Sequence, residues 1–163
     1  MKSDSAFDDF VDLLDYPMFV VTARADDRTG GCLVGFATQA SIDPPRFLVG
    51  LSRQNHTTSI ARTATHLAVH VLPREHLPLA ELFGGETGDA VDKFEHCDWH
   101  VGPEGTPILE AATGWFVGEI VQRYDMGDHV GHLLVPVTGS AANTGRRPVY
   151  FTDVKDLSPG HGA

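Results

Sequence analysis

Two long runs, Thr113 to Tyr124 (TGWFVGEIVQRY) and His129 to Ser140 (HVGHLLVPVTGS), are separated only by Asp125-Met126-Gly127-Asp128. Both are rich in β-branched and aromatic residues, and a short polar turn containing glycine is what joins antiparallel strands. This hairpin sets the fold class, because the remaining apolar runs have the same character. Met18 to Ala23 (MFVVTA) reads as a first strand, and the polar turn Asp26-Asp27-Arg28-Thr29-Gly30-Gly31 returns the chain into a second, Cys32 to Ala40. Asp43-Pro44-Pro45 breaks that strand and Arg46 to Leu51 forms the next. Leu67 to Leu72 (LAVHVL) is a largely buried strand ended by Pro73, and Pro148 to Phe151 is a short last one.

Helical signals are brief. Residues 1–14 hold an N-terminal helix in which Ser5 and Asp8 cap a stripe of Phe7, Phe10, Val11 and Leu14, with Tyr16-Pro17 as the stop. Thr57 or Thr58 caps one or two turns over Ser59 to Ala64, and Pro78 to Phe83 followed by Gly84-Gly85 carries clear start and stop signals. Residues 86–105 are an irregular excursion and 156–163 a flexible tail. Six or seven hairpin-joined strands with short flanking helices predict a mainly β fold, a closed antiparallel barrel, in one domain over 1–163. A doubly wound α/β sheet needs longer helices and usually a glycine-rich loop.

A formal net charge of −10 argues against a nucleic-acid partner, since phosphate-backbone binding relies on Lys and Arg. Cys32 and Cys97 lie far apart and form no zinc set, and two free thiols fit a reducing compartment. The acidic N-terminus has no signal-peptide core and no run approaches a spanning helix, so a cytoplasmic location without a membrane partner is expected.

Between Gly30 and Ile60 polar residues stand where packing does not require them. GFATQAS, Gly35 to Ser41, is either an edge strand or a backbone and short-side-chain border for a planar ring. SRQNHTTSI, Ser52 to Ile60, is a capping loop that can also hold a phosphate with amides, hydroxyls and Arg53. His129 is either a solvated strand-end histidine or a group that could donate a proton to, or position, a redox ring, and His132, three residues on, points to the opposite face, which makes the two a poor metal pair. His96 and His100 flank Cys97 and Asp98, but a packed loop explains them as well as a metal would, and no metal site is expected.

The ordered set PMFVVTA, LVGFATQASIDPPRFLVGLS, NHTTSI, LAVHVL, LAELFGG, VDKF and the late Gly127-Asp128-His129 resembles the flavin reductase-like proteins over roughly Leu14 to Phe151. The resemblance implies an FMN-binding split β-barrel, antiparallel and Greek-key-like, usually a homodimer with flavin near the subunit interface. It implies an NAD(P)H-dependent flavin reductase acting on FMN ahead of FAD, with hydride passing from nicotinamide to flavin N5, and reduced flavin supplied to a partner oxygenase. Gly35, Phe36, Ala37, Thr38, Gln39, Ala40 and Ser41 would then border the ring and ribityl chain. Ser52, Arg53, Asn55, Thr57 and Thr58 would hold the phosphate, Phe94 would lie by the flavin, and His129 would face the flavin or nicotinamide. His70 stands where many relatives carry Asn. Two alternatives remain open at this level: a flavin carrier, sensor or storage module with no nicotinamide reaction, and a barrel that binds haem or deazaflavin. Preference between NADH and NADPH is not encoded in any motif.

Overall fold

The computed structural model describes residues 5–85 and 92–157. Among the described residues nine strands form: β1 Phe19–Ala25, β2 Arg28–Val34, β3 Ala37–Ser41, β4 Arg46–Ser52, β5 His66–Val71, β6 Trp99–Val101, β7 Pro107–Leu109, β8 Gly114–Asp125 and β9 His129–Ala141. Four helices, α1 Ser5–Val11, α2 His56–Ala61, α3 Leu77–Gly85 and α4 Phe151–Val154, flank them. All pairings are antiparallel, in the order β2-β1-β5-β8-β9-β4-β3, with β6 and β7 as a separate pair. The fold is therefore mainly β with short helices.

The run expected as one strand from Cys32 to Ala40 is two strands, broken at Gly35-Phe36. They lie at opposite edges of the seven-stranded order. Three Cα steps from Val34 to Ala37 reach at most about 11 Å. Seven flat strands spaced by about 4.8 Å would be roughly 29 Å across. The sheet must roll so that these ends of its two edge strands come together, and the Gly50 N–H donates to Phe36 C=O at 2.7 Å, extending the β3–β4 ladder up to the break.

β1 carries four consecutive buried residues, Val20 to Ala23, because both of its faces are covered. Val21 and Ala23 pack with Val49, Leu51, Leu67, Leu134 and the α2 residues Ile60 and Ala61. Val20 faces the second cluster, with Leu72, Ala80, Phe83, Phe94 and Leu109. The Thr22 hydroxyl donates to Pro107 C=O at 2.6 Å, which fastens β7 across the sheet. Full burial of each such valine contributes about 1.5–3 kcal/mol.

Several local expectations change. The first hairpin turns on Asp26, at φ 55°, while Gly30 and Gly31 already lie in β2. Those glycines serve close packing, since a Cβ on Gly31 would sit 2.6 Å from the Phe83 ring and one on Gly30 2.7 Å from Ile60. Helix α2 starts earlier than Ser59, and its cap is Asn55 rather than either threonine: the Asn55 Oδ1 accepts the Thr57 N–H at 2.8 Å. Asn outranks Thr at this position. Pro148 to Phe151 contributes only isolated bridges, Pro73 to Pro148 and Pro17 to Tyr150, before α4 begins. Residues 86–91 of the excursion lie outside the described residues, as do residues 158–163 of the expected tail. The remainder of the excursion folds as a short 3-10 turn at Lys93–His96, strand β6 and a second turn at Pro103–Gly105.

Candidate active site

The Gly35-Phe36 junction opens onto a cleft of about 220 Å3. One wall is apolar and aromatic: Tyr16 and Met18 before β1, Phe83 from α3, and Phe151 at the start of α4. Tyr16 and Phe151 stack with ring centroids 4.9 Å apart. The Phe151 N–H donates to Tyr16 C=O, and the Asp15 carboxylate accepts from both the amide and hydroxyl of Thr152. Ser52 and Asn55 add polar groups, and His129 completes the lining.

Register explains the grouping. Ser52 ends β4, His129 begins β9, and the two are direct cross-strand partners. The His129 ring lies 4.8 Å from that of Phe36, tilted by 50°. Its Nδ1 pairs with the Asp128 carboxylate at 2.7 Å, an interaction that holds the Asp128 carboxyl below its ordinary range. Such a carboxylate fixes the tautomer with hydrogen on Nδ1 and leaves Nε2 for other chemistry. His132 is buried on the other face, in a small cavity of about 80 Å3 with Arg53, Thr58, Arg62 and Arg123. Burial, then the Arg123 charge, pushes its imidazole below the usual histidine range.

Of the residues expected at a site, the structure brings together Gly35, Phe36, Ser52, Asn55 and His129. The others lie elsewhere. Ala37, Thr38, Gln39, Ala40 and Ser41 form the edge strand β3, whose side chains make only local bonds, Thr38 to Gln39 C=O and Gln39 to Ser41 C=O. Thr57 and Thr58 are buried in α2, and the Thr58 hydroxyl donates to Ser52 C=O. The Arg53 guanidinium binds the β8–β9 turn through Gly127 C=O and Asp125. His70 is fully buried, with Nδ1–H on Val20 C=O at 2.9 Å and Nε2 accepting Leu109 N–H at 3.2 Å, so both ring nitrogens serve the interior. Phe94 lies in a second cavity, of about 340 Å3, that Gly30, Gly31 and Lys93 also line. Its ring meets Phe83 edge-on at 5.7 Å, and Phe83 stands between it and the cleft.

Tyr16, Met18, Phe83, Phe151 and Asp128 belong to the cleft or its histidine but are not among the expected site residues; Met18, Phe83 and Asp128 lie within PMFVVTA, LAELFGG and Gly127-Asp128-His129, runs that set the order of elements rather than mark a site. Cys32 also lines the cleft, but burial pushes its thiol up to about 11, which makes it unreactive. His100 pairs with Glu110, and among the described residues no group of three or more His, Cys, Asp or Glu is placed to hold a metal ion. No helix among them is long and apolar enough to cross a membrane.

The lining combines aromatic side chains and Phe36, which could border a flat ring, with the polar groups of Ser52 and Asn55 and a histidine. Sites that enclose a drug-sized ligand measure about 300–1,000 Å3, so this cleft of about 220 Å3 is smaller than one that encloses such a ligand whole.

The Flavin reductase like domain profile matches residues 11–155, and the chain belongs to that family. It is 31% identical to the FMN reductase (NADH) RutF of Ancylobacter novellus, over 81% of this chain and 74% of that protein. It is 30% identical to the high molecular weight rubredoxin of Moorella thermoacetica over 71% of this chain, and spans about half, 52%, of that relative's length. The flavin reductase domain protein of Arthrobacter sp. FB24 superposes with a TM-score of 0.81 at 22% identity, over 97% of this chain and 93% of that one, and shows the same fold.

Proposed function

We propose that this protein is an NAD(P)H-dependent flavin reductase that uses FMN. The observation that carries the reading is the cleft in which Phe36 and His129 stand ring to ring beside Ser52 and Asn55. The similarity to a protein named FMN reductase (NADH) supports the same choice of cofactor and donor. Bound FMN supplies a hydride acceptor for the nicotinamide donor. The chain's own groups do the rest. Phe36 and the Tyr16–Phe151 stack shape the ring's slot and exclude water from it. Ser52 and Asn55 hold the phosphate end, and Asp128 keeps the hydrogen of His129 on Nδ1 so that Nε2 is directed to proton traffic or nicotinamide positioning.

On this reading the rolled sheet is the split β-barrel of the family, and residues 1–163 form one domain. The protein works as a cytoplasmic homodimer, with reduced flavin passed to an oxygenase partner. Phe7 and Phe10 on α1, with Val121, Tyr124 and Val137 on β8 and β9, are exposed apolar side chains that suit a subunit interface. Sedimentation equilibrium at the mass of one chain would remove the dimer. The activity is tested by NADH and NADPH oxidation with added FMN: oxidation should require both protein and flavin and fall at least about tenfold in His129→Ala. Oxidation no faster than free FMN supports would reject the reading.

A further inference from the structure

Arg53 follows β4 and touches three of the four residues in the β8–β9 turn. Its amide donates to Asp128 C=O at 2.9 Å, its Nε to Gly127 C=O at 2.7 Å, and its guanidinium pairs with Asp125 Oδ1 at 2.6 Å. The same Asp125 oxygen accepts the Gly127 N–H at 3.2 Å, and Gly127 has φ 116°, a conformation that only glycine adopts without strain. With 47% and 80% of their side chains exposed, Arg53 and Asp125 form an ion pair of the kind that adds little to global stability. Their bonds converge instead on a turn whose other end is Asp128-His129. His129 is held by its cross-strand pairing with Ser52, but Asp128, which orients its ring, leaves the turn and has its carbonyl bound to the Arg53 amide.

We infer that Arg53 is a positioning residue for His129: it locks the Asp125-to-Asp128 turn so that Asp128 holds the imidazole toward the cleft. This rests on the assignment of His129 to the reductive step. It also turns the guanidinium away from the task of holding phosphate. A displacement of about 1 Å in a catalytic group can cost up to about a hundredfold in rate, so a loosened turn should be visible in kinetics without loss of the fold.

The test is a double-mutant cycle on the FMN-loaded protein, with Arg53→Ala and His129→Ala singly and together, and Asp125→Asn as a second way to open the turn. Flavin reduction by NADH is followed at saturating flavin, and FMN and riboflavin affinities are measured alongside. Arg53→Ala should slow reduction about tenfold in the native background and by less than about twofold in the His129→Ala background, because the two act as one unit. FMN affinity should change less than about twofold, and Asp125→Asn should reproduce part of the slowing. Equal slowing in both backgrounds would overturn the inference. So would a loss of FMN affinity, with riboflavin spared, at an unchanged reduction rate. If His129→Ala itself leaves reduction unchanged, the underlying assignment fails; if only Arg53→Ala does, the positioning role alone fails.

Discussion

His70 shows how a buried polar residue acts on stability rather than on the site. Burial lowers its imidazole to about 4 from an ordinary 6.5, and the Val20 carbonyl that accepts its Nδ1–H opposes that shift only in part. The folded state therefore binds this proton less readily than the unfolded chain. The stabilising contribution is complete above about pH 6.5 and is lost as pH falls toward 4. The window corresponds to about 3 kcal/mol in unfolding free energy. Denaturant titrations at several pH values should show that fall, with a slope shallower by about one proton in His70→Asn. An identical slope in the variant would place the acid sensitivity elsewhere. At this scale the sequence exposes His129, because a glycine turn and a strand start are local features. It hides the purpose of His70, whose partners Val20 and Leu109 are 50 and 39 residues away.

Among the elements, α4 has only four residues, too few to persist on helix formation alone. It is held by Asp153, whose carboxylate takes the Tyr150 N–H at 2.8 Å and the Arg74 and Arg147 guanidiniums at 3.0 Å each. The Tyr150 amide bond is the largest cause that lowers this carboxyl to about 2, so its contribution is intact above about pH 4 and lost only toward pH 2, outside the His70 window. Asp153→Ala should cost about 1 kcal/mol as a lost cap and release Phe151 from its stack on Tyr16. Weaker FMN binding with nearly unchanged reduction of the flavin that does bind is the expected outcome. Unaltered affinity would show that this wall does not touch the cofactor. Most strands are legible from their β-branched runs, as β1, β4, β5, β8 and β9 are. The break between β2 and β3 is not, because Gly35-Phe36 reads as strand locally and only the closing of the sheet imposes the bend. Likewise β6 and β7, of three residues each, have no periodicity to read.

For the molecule as a whole, the cleft exists because the sheet rolls so that these ends of its two edge strands, β2 and β3, come together, and the segments at 16–18 and 149–151 are bridged beside that junction. A third of the expected site, Gly35, Phe36, Ser52, Asn55 and His129, converges there from two strands and two loops. Ala37 to Ser41, Arg53, Thr57 and Thr58 share a stretch of sequence with these but not a direction in space: β3 lies at the sheet edge and α2 turns its threonines inward. The central question is whether this cleft carries flavin reduction. The direct measurement is anaerobic mixing of the FMN-loaded protein with NADH and with NADPH, following the flavin band near about 450 nm. The band should bleach fully with at least one nicotinamide, several-fold faster than with free FMN and more slowly in His129→Ala. A band that persists on the protein with both donors would contradict the account and leave a flavin-binding module in its place.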